Sequence, residues 1–161
     1  MANLFKAKIT GTGYAVPERV LTNADLEKMV DTNDEWIRTR TGIQQRHIAD
    51  PGQTNSELGA RAASMAMKNA GVSPDDIGLV IVATITPDMV FPATACLIQE
   101  KLGLTRAGTV DVEAACSGFI YGLSMARQYV ATGEYRHVLV VASELLSRIT
   151  DWEDRTTCVL F

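Results

Sequence analysis

An α/β layered fold with a largely parallel sheet is predicted by three features of this 161-residue chain. Residues 79–84 and 137–142 are almost wholly apolar runs of strand length, the pattern of parallel strands covered on both faces. Segments with helical spacing or Ala-rich composition alternate with these runs. Gly71, Gly103 and Gly133 punctuate the segments where helices should stop.

Composition bounds the rest. A chain that is 47% apolar carries enough hydrophobic material for a core, and a net charge of −4 gives no global attraction to nucleic acid or an acidic membrane. The longest apolar runs are far too short to span a bilayer, and residues 1–21 lack the apolar core of a signal peptide. Three widely spaced cysteines, Cys96, Cys116 and Cys158, show no metal-ligand spacing and fit a reducing, cytoplasmic setting; no metal site is expected.

In order, Phe5–Thr12 reads as a first strand ending at Gly11-Thr-Gly13. Thr22-Asn-Ala-Asp25 opens a short helix over 26–30, and Asp31–Ile43 reads as a surface helix and loop closed by Gly42. Pro51-Gly52 marks a turn, after which Thr54 and Glu57 have capping-box spacing ahead of a long helix ending at Gly71, with Met65 and Met67 as core packing. Ser73-Pro-Asp-Asp76 is a turn or short helix whose acids are helix-start residues. A central strand over 79–84 follows, then a helix over 93–102 with Pro92 in its first turn and Cys96 as packing. Residues 109–113 form the next strand, with Glu113 needing a partner if buried. Residues 137–142 form another, and 156–161 begin a last one.

Cys116 sits where strand 109–113 passes through Ala114-Ala115 into a helical pattern carried by Phe119, Leu123, Ala126 and Val130. A thiol at a helix N-terminus is favoured as thiolate, the form that attacks carbonyl carbon. The small neighbours Ala114, Ala115, Ser117 and Gly118 leave room for an acyl group and offer backbone N–H groups to an oxyanion. The competing reading is a buried structural cysteine at an ordinary α/β connection. Arg38, Arg40 and Arg46 lie near Trp36, a set able to stack on a base and fork onto phosphate, or simply to form a solvated charged face. His47 and His137 are assigned no catalytic role.

Thr22-Asn-Ala-Asp-Leu-Glu27, the DEWI and RTGI pieces within Asp31–Ile43, Phe91-Pro92, Asp111–Gly118 and Asp154-Arg155 together resemble the β-ketoacyl-acyl-carrier-protein synthase III family. The resemblance implies the amino-terminal half, residues 1–161, of a thiolase-like αβαβα architecture. It further implies fatty-acid initiation, in which Cys116 accepts an acyl group from acyl-coenzyme A and condenses it with malonyl-acyl-carrier protein. Trp36 and Arg40 would sandwich adenine, with Thr32 nearby and Arg155 at the ligand's polar end. Phe91 and Leu146 would bound the acyl pocket, Phe91 across a homodimer. No cofactor is implied beyond the coenzyme A thioester as substrate. The family's catalytic His and Asn belong to a carboxy-terminal half absent from this chain, which implies a complementary polypeptide. Two rival readings are a different thiolase-fold condensing enzyme, of 3-hydroxy-3-methylglutaryl-CoA or polyketide type, and a non-catalytic half-fold that dimerises near Phe91 and residues 109–113.

Overall fold

The computed structural model describes residues 5–161. Its elements in chain order are β1 (Arg19–Thr22), α1 (Asn23–Leu26), α2 (Asp34–Thr41), β2 (Gln45–Ile48), α3 (Asn55–Ala70), β3 (Ile77–Ala83), α4 (Thr94–Leu102), β4 (Gly108–Val112), α5 (Gly118–Thr132), β5 (His137–Ala142) and α6 (Arg155–Cys158). They fall into two compact units, one built from the residues up to Ala15 with Thr54–Glu144, the other from Val16–Gln53 with Leu145–Phe161.

The larger unit is a three-layer sandwich. Its sheet has the order β4-β3-β5, all parallel, so the apolar run over 79–84 is indeed the central strand. Successive side chains on a strand face opposite ways, and β3 uses both faces. Val80 and Val82 pack with Ala60, Ala63 and Met67 of α3 and Ala95 and Ile98 of α4. Leu79 and Ile81 pack with Ala126 of α5. Val80, Ile81 and Val82 are all fully buried, which is why the strand carries no polar residue.

Helix ends follow the predicted chemistry. The Thr54 hydroxyl accepts from the Glu57 N–H to start α3, and Gly71, Gly103 and Gly133 end α3, α4 and α5 in the left-handed conformation. The turn at Pro74–Asp76 is a short 3-10 helix closed by a reciprocal Ser73/Asp76 capping box.

The smaller unit pairs β1 antiparallel with β2, Arg19 opposite Ile48 and Thr22 opposite Gln45. Its core is Leu26, Ile37, Cys158 and Val159, with Leu21, Val30, Trp36, Ile43 and Trp152 packed around them. A buried polar link accompanies it. Arg46, 7% exposed, donates from Nε to the Phe161 carbonyl at 2.9 Å and from Nη1 to Asn23 Oδ1 at 2.8 Å. Asn23 in turn donates to the Ile43 carbonyl and to Asp34.

Several expectations are corrected. Residues 5–12 form no strand among the described residues; instead the segment runs against α3, where a Cβ on Gly11 would lie 2.3 Å from the Ala66 carbonyl oxygen and one on Gly13 2.2 Å from that of Ala62. Only glycine permits that approach. Residues 156–161 do not begin a strand: Asp154 caps α6 by accepting from the Thr156 N–H and from both threonine hydroxyls, which diverts the β-branched pair into a helical turn. The early helix is Asn23–Leu26 rather than 26–30, because the Thr22/Asp25 capping box starts it at Asn23. Pro92 precedes the cap Ala93 instead of lying in the first turn of α4. Met67 is buried as expected, but Met65 is 40% exposed. Glu113 lies beyond the end of β4 and is exposed, so its carboxylate stays hydrated and needs no partner.

The buried stripe of α5 is Gly118, Gly122 and Ala126, while Phe119, Ile120 and Tyr121 are exposed. A Cβ on Gly118 would lie 2.9 Å from Ala83 Cβ, and one on Gly122 3.0 Å from Val140 Cγ1. Close backbone approach, rather than large apolar side chains, chose the face that meets the sheet. Of the predicted stripe Ala126 is buried, Leu123 and Val130 are half-buried, and Phe119 is exposed.

Candidate active site

The nucleophile candidate is built by backbone geometry. β4 ends at Val112, Ala115 takes a positive φ of 43°, and residues Ala115–Ser117 form a 3-10 turn that runs directly into α5. A left-handed alanine costs roughly 1 kcal/mol, so the surrounding packing must enforce it. Gly118 seated on Ala83 does so, fixing the start of α5 against the end of the central strand. Cys116 rides on this corner and is exposed. The buried-structural reading of this cysteine is thereby removed; Cys158 is the buried one, and burial pushes its thiol pKa up.

The proposed oxyanion donors are reduced in number. The Ser117 N–H is bonded to the Ala114 carbonyl at 3.0 Å, and the Gly118 N–H to the Ala115 carbonyl. They serve the turn.

A remote carboxylate helps set the strand that carries this corner. Asp111 on β4 accepts from the Thr94 and Ala95 N–H groups at 2.6 and 2.8 Å, capping α4, whose own cap residue Ala93 has no acceptor. Asp88 does the same for α3 through Asn55 and Ser56. Neither cap was legible in the sequence, since both acids lie outside the helices they cap.

The second cluster lies in the smaller unit. Trp36, on α2, has the Arg40 guanidinium carbon 5.6 Å from its ring centroid and that of Arg155 at 5.1 Å. Asn33 caps α2 through the Trp36 N–H and Asp154 caps α6 at Arg155, so each end of the cluster is fixed at a helix start. Both guanidinium groups are exposed, within the range where cation–π attraction acts, and retain donors for phosphate oxygens. Hydrogen bonds from Thr157 and Thr156 hold the Asp154 carboxyl below its ordinary value of 3.8. Thr32 has a buried hydroxyl with no hydrogen-bond partner among the described residues.

The other two arginines leave the set. Arg38 pairs with Asp34 at 3.4 Å, and Arg46 is an internal strut whose burial lowers its pKa. His47 donates from Nδ1 to the Pro17 carbonyl, 2.6 Å away. Leu146 is half-buried in a 3-10 turn of the smaller unit, and Phe91 in the larger one is 86% exposed beside Met89 and Val90. An open depression of about 490 Å³ beside α2 is lined by Asp34, Glu35, Arg38, Thr39, Gly42 and Gln44, of which only Arg38 belongs to the arginine set read from the sequence. Among the described residues no cluster of His, Cys, Asp and Glu could hold a metal, and no helix is long and apolar enough to cross a membrane.

A family model for 3-oxoacyl-[acyl-carrier-protein] synthase III matches residues 110–161, which include the Cys116 corner and Arg155. The β-ketoacyl-[acyl-carrier-protein] synthase III of Caldanaerobacter subterraneus subsp. tengcongensis is 55% identical over 161 residues, covering 100% of this chain and 49% of that protein. The chain matches half of a β-ketoacyl-acyl-carrier-protein synthase III. The synthase III of Symbiobacterium thermophilum is 60% identical over 153 residues, 95% of this chain and 46% of that protein. The chain spans about half the length of the curated relatives it matches. The solved synthase III from Aquifex aeolicus VF5 superposes with a TM-score of 0.92 at 51% identity, over 96% of this chain and 50% of that one. The priming β-ketosynthase from the R1128 polyketide biosynthetic pathway also gives 0.92, at 39% identity over 96% of this chain and 46% of its own. These likenesses bear out the α/β thiolase-like fold read from the sequence.

Proposed function

We propose that this chain is the amino-terminal half of a cytoplasmic synthase III that starts fatty-acid synthesis. The observation that carries the reading is the exposed Cys116 on its enforced corner at the start of α5, in a segment matched to the synthase III family. The thiolate sulfur attacks the thioester carbon of an acyl-coenzyme A. A carbon–sulfur bond forms to Cys116, the bond to coenzyme A breaks, and the coenzyme A thiolate leaves and takes a proton. The carrier-bound malonyl group then loses carbon dioxide, and the resulting carbanion attacks the acyl carbon, expelling Cys116 and giving 3-oxoacyl-acyl-carrier protein. Splitting the reaction at a covalent intermediate replaces one difficult bond formation by two easier steps.

Trp36, Arg40 and Arg155 hold the nucleotide end of coenzyme A, with the Thr32 hydroxyl as a further donor; the indole face suits adenine and the guanidinium forks suit phosphate. Arg155, the closer of the two to the ring, is as well placed to stack as Arg40. Phe91 and Leu146 bound the acyl pocket, Phe91 in a homodimer. No cofactor is needed beyond the thioester substrate. Decarboxylation needs a complementary carboxy-terminal half.

Intact-mass spectrometry after addition of acetyl-coenzyme A tests this. The expected result is an acetyl adduct on Cys116 and none in Cys116→Ala, a loss of at least a thousandfold in transfer rate; transfer at the wild-type rate in that variant would overturn it. Likeness to the polyketide priming synthase favours one second reading, in which the same cysteine primes a polyketide chain. Competition among acyl-coenzyme A starters and carrier proteins of the two pathways separates them.

A further inference from the structure

A polar network at the carboxyl end of the sheet is absorbed by none of the roles above. β3 leaves the sheet at Thr84, whose N–H is bonded to the carbonyl of Val112, the last residue of β4, at 3.2 Å. Beyond it the chain runs without regular structure to α4. The Glu144 carboxylate gathers the start of that run: Oε1 accepts from the Ile85 N–H at 2.9 Å, and Oε2 from the Thr86 N–H at 3.1 Å, the Thr84 hydroxyl at 3.2 Å and the Thr86 hydroxyl. From the other side Asn55, fully buried, donates to the Thr86 carbonyl at 2.8 Å and to the Ser143 carbonyl at 2.9 Å. Asp88 then ties the run to the start of α3.

The contrast along this run is sharp. Its base is held by charge-assisted hydrogen bonds, while Met89, Val90 and Phe91 are 47%, 101% and 86% exposed. A loop that only connected β3 to α4 would need no such base, because a surface loop satisfies its backbone groups with water. The same base is joined through Thr84 to Val112, from which the chain proceeds to Cys116. One anchor thus serves both the apolar tip and the strand that leads into the Cys116 turn.

We propose that Glu144 is a positioning residue that fixes the 85–91 segment, and with it Phe91, and so sets which acyl groups Cys116 receives. This deepens the acyl-transfer reading and rests on it. The carboxylate has only acceptors to offer, which matches a base made of two backbone N–H groups and two hydroxyls. Glu144→Gln keeps the shape but turns a donor toward one of those N–H groups.

Two readouts on the purified protein test it. Hydrogen exchange should show the Ile85 and Thr86 amides at least tenfold faster in Glu144→Gln, with Val80–Val82 unchanged; unchanged loop amides would overturn the anchor. Acylation by an equimolar mixture of acetyl-, isobutyryl- and octanoyl-coenzyme A should give an adduct ratio on Cys116 shifted at least fivefold from wild type. Phe91→Ala should shift the ratio in the same direction, and the double variant no further than Phe91→Ala alone. Thr86→Val, which removes the hydroxyl bond to Glu144 while leaving the carboxylate in place, should show a smaller shift and guards against misfolding of the Gln variant. An unaltered adduct ratio despite faster loop exchange, or shifts that simply add, would overturn the positioning role. A wild type that takes no acyl group at all would overturn the transfer reading and the selectivity role with it, leaving exchange to decide the anchor alone.

Discussion

The larger unit closes its core with glycine and aliphatic contacts on both faces of β3, whereas the smaller one has the buried guanidinium of Arg46 beside Leu26, Ile37, Cys158 and Val159. The difference reaches the functional residues. Cys116 is placed by main chain, through a positive-φ alanine and a helix pressed onto the sheet. Trp36, Arg40 and Arg155 are placed by side chains converging from two short helices. Main-chain placement tolerates little change in packing but is indifferent to distant charges; side-chain placement depends on caps and ion chemistry. Perturbing each unit separately sharpens that contrast.

The largest effect is expected at Gly122. Leu there adds four carbons where a single Cβ would already lie 3.0 Å from Val140 Cγ1, and overpacking should cost about 3 kcal/mol. Urea denaturation followed by the fluorescence of tryptophan, all of it in the smaller unit, should respond less than exchange of β3 amides. Equal loss in both units would break the comparison. Arg46→Met should cost about 2 kcal/mol, since Asn23 Oδ1 loses its buried donor while relief of a buried charge offsets part of the penalty. The loss should be confined to exchange protection around Leu26 and Ile37. A variant as stable as wild type would mean that the network adds nothing net.

Arg40→Ala should weaken coenzyme A about tenfold by calorimetry, close to 1.4 kcal/mol, with the unfolding midpoint unmoved because the side chain is exposed. Unchanged affinity would remove Arg40 from the ligand site. The smallest effect concerns acid. Asp154 has a folded pKa below its ordinary 3.8, so its contribution is complete above that value and is lost as pH falls through the lower folded value. Denaturation midpoints at pH 6 and pH 3 should therefore differ less in Asp154→Asn than in wild type. Identical acid slopes would show that the cap does not stabilise α6.

Legibility followed the range of the interaction. The cap at Thr54, the turn at Ser73 and the stops at Gly71, Gly103 and Gly133 are decided within a few residues and match the reading, whereas the helix opened at Thr22 starts three residues earlier than 26–30. Phe5–Thr12 was misread because β-like composition does not say whether a partner strand or a helix lies alongside. The two arginines of the Trp36 set differ for the same reason: Arg40 shares a helix with the indole, while Arg155 reaches it only through the fold. The resemblance to synthase III supplied what spacing could not, since nothing local links Asp154-Arg155 to Trp36.

By itself the sequence determined the layered α/β class, the central strand, the start of α3, the glycine stops of α3, α4 and α5 and a cysteine at a strand-to-helix corner. Each follows from a period, a cap or a glycine whose cause lies within a turn or two of chain. Only the tertiary structure decided that α5 meets the sheet through glycine, that Arg46 is internal, that residues 155–158 are helical, and that Glu144 gathers the loop leading to Phe91. Those outcomes depend on which distant groups arrive at a given atom, and distance along the chain carries no record of that.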